Sequence, residues 1–164
     1  MDARNMPRRP DALGLQHTLV NGFTLIELMA TVTIAAILMA VATPYFRDFV
    51  LGQRIRAASY DIASTLTYAR SEAIKRNNSV TIAQASGGWQ YGWTVSTGAA
   101  TLSQHEALPG VTIIGPAGAV VYNGSGRLVA AVNPFGISAA GSTASPRCVN
   151  VDLSGLASSL AGSC

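Results

Sequence analysis

One acidic side chain stands inside an otherwise uncharged stretch near the start of the chain. Between Phe23 and Thr43 there are 21 residues, and Glu27 is the only charged residue among them. As a helix, this stretch would extend roughly 31 Å, about the thickness of the hydrocarbon core of a bilayer. An ionised carboxylate in lipid costs roughly 2.5–3.5 kcal/mol on insertion scales, and acids in that position usually mark function. The stretch therefore predicts a membrane span that contains a candidate site.

A cationic partner for Glu27 would appear if the chain were cut between Gly22 and Phe23. The new α-amino group of Phe23 would stand four residues before the carboxylate, and helical i,i+4 spacing places both groups on one face. Between neighbouring chains, such a pair would set the register of an assembly, because a buried unpaired charge is strongly penalised. The alternative role for Glu27 is a side chain that merely reaches the membrane interface.

The segment Gly22-Phe23-Thr24-Leu25-Ile26-Glu27 resembles the cleavage and methylation motif of type IV prepilins. The resemblance implies that residues 1–22 are a leader peptide, and that a prepilin peptidase cuts after Gly22 and N-methylates Phe23. It implies that Glu27 aligns subunits with other pilins in a filament. It also implies a single-pass protein of the bacterial inner membrane, in contact with its lipid, whose head lies in the periplasm before it joins a pilus or pseudopilus.

Pro44 ends the uncharged stretch at a position where many pilins carry a helix-distorting proline. Because proline has no N–H, it should kink the helix or loosen the preceding turn. The competing interpretation of the whole region is an ordinary secretory signal, with Ala40-Val41-Ala42 as its cleavage site. Glu27 interrupts the apolar core that such a signal requires, so this interpretation is disfavoured.

The helical pattern continues beyond the span. Apolar residues recur at intervals of seven, four, three and four, and they are Ile55, Ile62, Leu66, Ala69 and Ala73. This stripe predicts one helix from about residue 23 to residue 76, with a membrane-spanning and assembly half, 23–44, and an amphipathic half, 45–78. Asn77 or Asn78 is expected to take a left-handed cap. The apolar face of the second half needs a cover.

Short β-branched or aromatic runs follow, separated by Gly, Pro, Asn and Ser, at 80–83, 91–95, 111–114, 120–122, 128–132 and 149–153. They predict antiparallel strands in a β-rich head, 79–164, packed on the helix, which is an α+β fold. Residues 123–126 are expected to form a hairpin loop and 136–146 a surface loop. Trp89, Tyr91 and Trp93 are expected on alternate faces of one strand, with one face in the core.

The run from Ala69 to Arg76, followed by Val80-Thr81, Trp89 and Gly92-Trp93, is similar to the GspH/FimT group of minor pilins and pseudopilins. The resemblance implies a structural subunit without catalytic activity: a minor pilin that acts in assembly, priming or the tip of a type IV pilus. The alternatives are an H-like pseudopilin of a type II secretion system and a DNA-binding minor pilin for natural transformation.

Cys148 and Cys164 are the two cysteines of the chain. In a domain outside the cytoplasm, an even cysteine count indicates a disulfide, and two free thiols are the alternative. No metal site, cofactor site or catalytic residue is expected. His105, the one histidine outside the leader, is expected to be a loop side chain.

DNA binding is disfavoured by charge and by motif. FimT-like pilins that bind DNA carry a Gly-Arg-x-Arg motif near the C-terminus, whereas the corresponding region here, 154–158, has no arginine. After Asn78 the chain has two basic residues, Arg127 and Arg147, against two acidic ones. Such a head lacks the basic surface that phosphate binding requires.

Overall fold

The computed structural model describes residues 22–164. The chain divides into two compact units, one ending at Ala40 and the other comprising Val41–Cys164. The predicted leader, apart from Gly22, lies outside the described residues.

Helix α1 (Leu25–Arg76) covers the region in which one long helix was predicted. It ends in a Schellman motif, in which Asn77 has a positive φ of 46°. The N–H of Asn77 donates to the carbonyl of Ile74 and the N–H of Asn78 donates to that of Ala73, both at 3.2 Å. The expected left-handed asparagine cap is therefore confirmed, with Asn77 as the left-handed residue.

The head contains two four-stranded sheets whose paired strands are all antiparallel. The first sheet has the order β3-β2-β1-β5 and the second β4-β6-β7-β8. The strands are β1 (Val80–Gln84), β2 (Trp93–Thr97), β3 (Ala100–His105), β4 (Thr112–Ile114), β5 (Val120–Tyr122), β6 (Phe135–Ser138), β7 (Arg147–Val151) and β8 (Ala157–Ala161).

The apolar stripe of α1 forms one side of a single core with both sheets. All five stripe residues are at most 3% exposed, and they pack in one cluster with side chains such as Tyr122 and Phe135. Trp93 donates its indole N–H to Thr65 Oγ1 of the helix at 3.1 Å. The predicted α+β head, with strands covering the helix, is confirmed.

Trp89, Tyr91 and Trp93 were predicted to lie on one strand, and this prediction was wrong. Trp89–Tyr91 form a single 3-10 turn, and β2 begins only at Trp93. Gly92 separates the two with a φ of 107°, and a Cβ there would stand 2.3 Å from the carbonyl oxygen of His105. Both tryptophans are 3% exposed and Tyr91 is 57% exposed, so the tryptophans do belong to the core.

Other strand predictions were also wrong. Residues 128–132 form no strand and contribute only an isolated bridge between Leu128 and Tyr122. The N–H of Val129 donates to the Val121 carbonyl of β5 at 2.9 Å, whereas the N–H of Leu128 donates to Leu153 at 3.2 Å. The predicted loop 136–146 begins inside β6. Strands β3 and β8 were not predicted, since both lie at sheet edges and are too exposed to show an apolar alternation.

Candidate assembly site

The carboxylate of Glu27 caps the beginning of α1. Thr24 precedes the helix, and its hydroxyl oxygen accepts a hydrogen bond from the N–H of Glu27 at 3.3 Å. In return, Glu27 Oε2 accepts from the N–H of Thr24 at 3.4 Å and from its hydroxyl at 3.5 Å. This reciprocal arrangement is a capping box. The capping box was not predicted, although Thr-x-x-Glu ahead of an apolar run is its signature.

The capping box fixes where the negative charge lies. It holds the carboxylate within the first turn of α1, where the unpaired N–H groups favour an anion. Glu27 is exposed, so its remaining acceptor positions face outward. An ammonium group on Phe23 would lie one residue before Thr24, whose N–H already donates to the carboxylate of Glu27.

Gly22 and Phe23 precede the helix and are accessible. Phe23 is 81% exposed, and a Cβ on Gly22 would meet no atom within 4 Å. The chain itself therefore does not require a glycine at this position. A requirement for glycine would come from a molecule that approaches the backbone here.

The helical surface that follows is apolar and uncovered. Within the described residues, α1 is the one helix long and apolar enough to cross a membrane, with a mean hydropathy of 2.3 over its most apolar 18-residue window and none of that window buried. Side chains such as Leu25, Ile26 and Met39 are about 70% exposed or more. Such a surface is stable in lipid or against other apolar helices.

Pro44 lies within α1, whose bounds run past it on both sides. The division between the two compact units falls four residues earlier, after Ala40. A kink at Pro44 stays a prediction.

His105 is not the loop side chain that the sequence predicted. It is the last residue of β3 and stacks on Trp93, with ring centroids 4.2 Å apart and an interplanar angle of 16°. Its Nε2 lies 3.5 Å from Asp61 Oδ2 of α1, and its Nδ1 lies 3.0 Å from the carbonyl oxygen of Glu106. Both ring nitrogens thus have partners in the protein, which suits a residue that joins β3 to the helix.

The turn at the position of the DNA-binding motif presents leucine where arginine would be needed. Asp152 accepts hydrogen bonds from the Ser154 hydroxyl and from the N–H of Leu156, and these bonds hold the pKa of its carboxyl below the usual range. Leu156 is 59% exposed. Gly155 has a φ of 84° and approaches the Gly126 carbonyl so closely that a Cβ would stand 2.2 Å from its oxygen. The turn is built from internal hydrogen bonds and backbone packing.

Some basic side chains of α1 and of the head donate hydrogen bonds within the fold. Arg70 donates from Nε to the carbonyl of Gly126 at 3.1 Å. Arg147 donates to Ser159 Oγ at 3.3 Å. Arg127 is exposed. Among residues 79–164, Arg127 is thus the exposed arginine, and a single one does not make the positive surface that binds a nucleic-acid backbone.

The two cysteines are bonded to each other. Cys148 of β7 and Cys164 form a disulfide with a Cα–Cα separation of 5.0 Å. The cross-link encloses 16 residue steps and ties the last residue of the chain to the second sheet. The loop-closure model gives such a cross-link roughly 3 kcal/mol of stabilisation.

Comparison with known proteins agrees with this anatomy. Residues 19–43 match the prokaryotic N-terminal methylation motif, and residues 58–156 match the family described as type II transport protein GspH. Comparison with curated protein sequences finds no match.

Two crystal structures of the type IV minor pilin FimU from Pseudomonas aeruginosa PAO1 have a similar fold. One superposes with a TM-score of 0.59 at 21% identity, covering 65% of this chain and 87% of FimU. The other gives 0.57 at 22% identity, covering 64% and 91%. At this identity the likeness shows the fold. The GspH match spans 99 of the 164 residues. The chain therefore belongs to the GspH family of type IV pilin-like proteins and carries the methylation motif at its amino-terminal end.

Proposed function

We propose that this chain is a minor pilin, a structural subunit of a type IV pilus without catalytic activity of its own. The proposal rests on one observation: a single chain carries the methylation motif, an uncovered apolar helix and a GspH-family head. The head shares its fold with FimU, which is itself described as a type IV minor pilin. A pseudopilin of a type II secretion system is the second candidate, favoured by the description of the family.

Processing by a prepilin peptidase is the first step of the proposal. The peptidase cuts between Gly22 and Phe23 and methylates the new amine of Phe23, while the head faces the periplasm and the leader the cytoplasm. The support is the exposed, non-helical backbone at this bond and the open space around Gly22. A peptidase that grips the backbone closely would exclude any side chain there.

Glu27 acts in the second step, assembly. After cleavage, its carboxylate pairs with the ammonium of Phe23, in its own chain or in a neighbouring subunit. The capping box with Thr24 supports this role, because it orients the carboxylate toward the end of the helix at which the amine would appear. In a filament the apolar helices exclude water, so subunits that leave the charge unpaired are rejected.

Deleting the gene in its own bacterium distinguishes a subunit of a type IV pilus from a subunit of a type II secretion system. We expect loss or shortage of surface filaments with export of type II substrates unchanged, and restoration of filaments by the full-length chain. Loss of export with normal filaments would instead identify a pseudopilin. Electron microscopy of sheared filaments and assay of exported enzymes supply the two measurements.

A further inference from the structure

A groove of about 330 Å³ lies between α1 and the segment that leads into β7. Residues 144–147 line one side of it, and a stripe of α1 that includes Gly52 and Arg56 lines the other. A Cβ added to Gly52 would stand 3.5 Å from the Cβ of Ala144, so a longer side chain at this position would enter the groove. The glycine therefore keeps the space open, and its volume lies within the range of roughly 300–1,000 Å³ that is usual for ligand sites.

The segment on the far side of the groove is fixed to the helix. The hydroxyl of Thr143 donates to Asp48 Oδ2 of α1 at 2.5 Å, and the N–H of Ala144 donates to Ser142 Oγ at 3.0 Å. β7 begins at Arg147, directly after this segment, and pairs with strands on both sides. The groove is therefore part of the fold.

Two guanidinium groups line the groove, Arg56 from α1 and Arg147 from β7. Within the described residues, Arg56 has no hydrogen-bond or ion-pair partner. Arg147 uses one of its five N–H donors on Ser159 Oγ, at 3.3 Å. The opposing charge is Asp48, whose carboxyl has a lowered pKa because the Thr143 hydroxyl donates to it. Two positive side chains and one negative side chain leave the groove with one net positive charge.

The groove starts just beyond the uncharged stretch that ends at Thr43. Asp48 lies five residues after Thr43 and Arg56 lies thirteen after it, which is roughly 8 Å and 20 Å along the helix axis. Lipid head groups occupy roughly 5–8 Å on each side of the hydrocarbon core. Side chains of a helix lean toward its N-terminal end, so Arg56 extends back toward Asp48. In a chain that spans the membrane up to Thr43, the Asp48 end of the groove lies at the depth of the head groups.

Exposed aromatic side chains mark the same depth. Tyr45, Phe46 and Phe49 are between 61% and 76% exposed. Phe49 lines the groove, and Tyr45, four residues earlier, shares its face of the helix. Amphipathic rings such as that of tyrosine are enriched where acyl chains meet polar head groups. The charged groove is thus continuous with an aromatic surface that suits lipid.

We propose that the groove binds the phosphate group of a membrane phospholipid between Arg56 and Arg147. The acyl chains run past Phe49 and Tyr45 toward the bilayer. Guanidinium groups bind phosphate oxygens through paired hydrogen bonds, and the single negative charge of a phosphodiester offsets the net charge of the groove. This inference rests on the proposed membrane residence of the chain, and it does not depend on which filament the chain joins.

Two other occupants match the groove less well. A nucleic-acid strand gains its affinity from several phosphate contacts, whereas the groove offers two arginines and one net charge. A soluble phosphate ion would contact the same arginines but would leave the aromatic rings beside them exposed to water. A phospholipid both offsets the charge and covers the rings.

The test is an NMR titration of the full-length, nitrogen-15-labelled chain in a maltoside detergent, which contains no phosphate. The first probe is dihexanoyl phosphatidylglycerol. The second is dihexanoylglycerol, which has the same acyl chains without the phosphate, and the third is inorganic phosphate at the same concentrations. We expect the amide resonances of Ser145 and Arg147 to shift and saturate with the phospholipid alone.

Arg56→Gln should weaken the apparent affinity for the phospholipid about tenfold or more, because it removes charge-assisted hydrogen bonds to the phosphate. Arg127→Gln is the matched control, since Arg127 is exposed and does not line the groove. The amide spectra of both variants verify that they are folded.

An absence of saturation, or wild-type affinity in Arg56→Gln, would overturn the proposal. Equal shifts with inorganic phosphate would also overturn it and make the groove a site for a soluble anion. Equal shifts with dihexanoylglycerol would reduce the groove to an apolar contact. These outcomes leave the proposed membrane residence standing, because extraction of the chain from the membrane tests that residence separately.

Discussion

At the scale of single residues, Glu27 has one observed and one proposed role, and truncating its side chain would remove both. It caps α1 through Thr24, and we propose that it pairs with the amine of Phe23 after cleavage. The two roles differ in size. An N-cap is worth about 1 kcal/mol, whereas leaving one member of a buried ion pair without its partner costs about 3–5 kcal/mol. The free energy lost with the ion pair is large enough to exclude a subunit from a filament.

Glu27→Gln separates them, because glutamine also serves in a capping box but carries no charge. We expect this variant to be cleaved, stable and resident in the membrane, yet reduced in sheared filaments by a factor of about a hundred or more. Thr24→Val is the matched control, since it removes the cap and keeps the charge. Quantitative immunoblots of sheared and membrane fractions supply the measurement. Wild-type amounts of Glu27→Gln in filaments would show that the charge has no role in register.

At the scale of elements, the amphipathic half of α1 depends on its buried stripe. Leu66 is 1% exposed and lies in the core cluster of the head. Leu66→Ala should lower the free energy of unfolding by about 2–5 kcal/mol. Tyr60→Ala, on the same helix at a residue 75% exposed, should change it little. Thermal or denaturant unfolding of both variants would test this, and equal losses would contradict the assignment of the buried face.

The β7–β8 turn should make the head sensitive to acid. Hydrogen bonds from Ser154 and the N–H of Leu156 lower the pKa of Asp152 below its ordinary value of 3.8. A lowered folded-state pKa stabilises the protein above that ordinary value, and the contribution is lost as pH falls through the folded pKa. Asp48 and Glu72 behave alike, through Thr143 and Arg76 respectively.

We therefore expect the melting temperature of the wild type to fall as pH is lowered below about 4. The melting temperature of Asp152→Asn should fall less steeply over the same pH range. Glu106→Gln, at an exposed residue, is the matched comparison. Calorimetric melts from pH 6 to pH 2 supply the measurement. A variant slope as steep as that of wild type would show that the Asp152 hydrogen bonds do not contribute.

The helix was predictable because its signals are local. The spacing from Ile55 to Ala73 and the cap at Asn77 are properties of one segment, and both are confirmed. The edge strands β3 and β8 were not predictable, since their place depends on partners distant in the chain and their exposed residues need no apolar pattern. The position of His105 against Trp93 and Asp61 likewise depends on tertiary packing. The Thr24–Glu27 capping box was predictable from its spacing and was overlooked.

At the scale of the whole molecule, the two compact units have opposite needs. The unit that begins at Val41 contains one apolar core, whereas the described residues of the other unit, 22–40, leave their large apolar side chains exposed. Large exposed apolar surfaces mark contacts with membranes or other proteins. We propose that the apolar helix first lies in lipid and later packs among the apolar helices of other subunits. We propose that cleavage before Phe23 makes this packing selective, because it creates the amine that pairs with Glu27.

Processing and membrane residence are tested together by the intact mass of the full-length protein after expression in its own bacterium and extraction from the membrane. We expect a chain that starts at Phe23, is heavier by one CH2 unit because a methyl group replaces a hydrogen of its amine, and retains the Cys148–Cys164 disulfide. Gly22→Leu should leave the uncut precursor as the main species. A wild-type chain that starts at Thr43, or that still carries its first 22 residues, would contradict cleavage between Gly22 and Phe23.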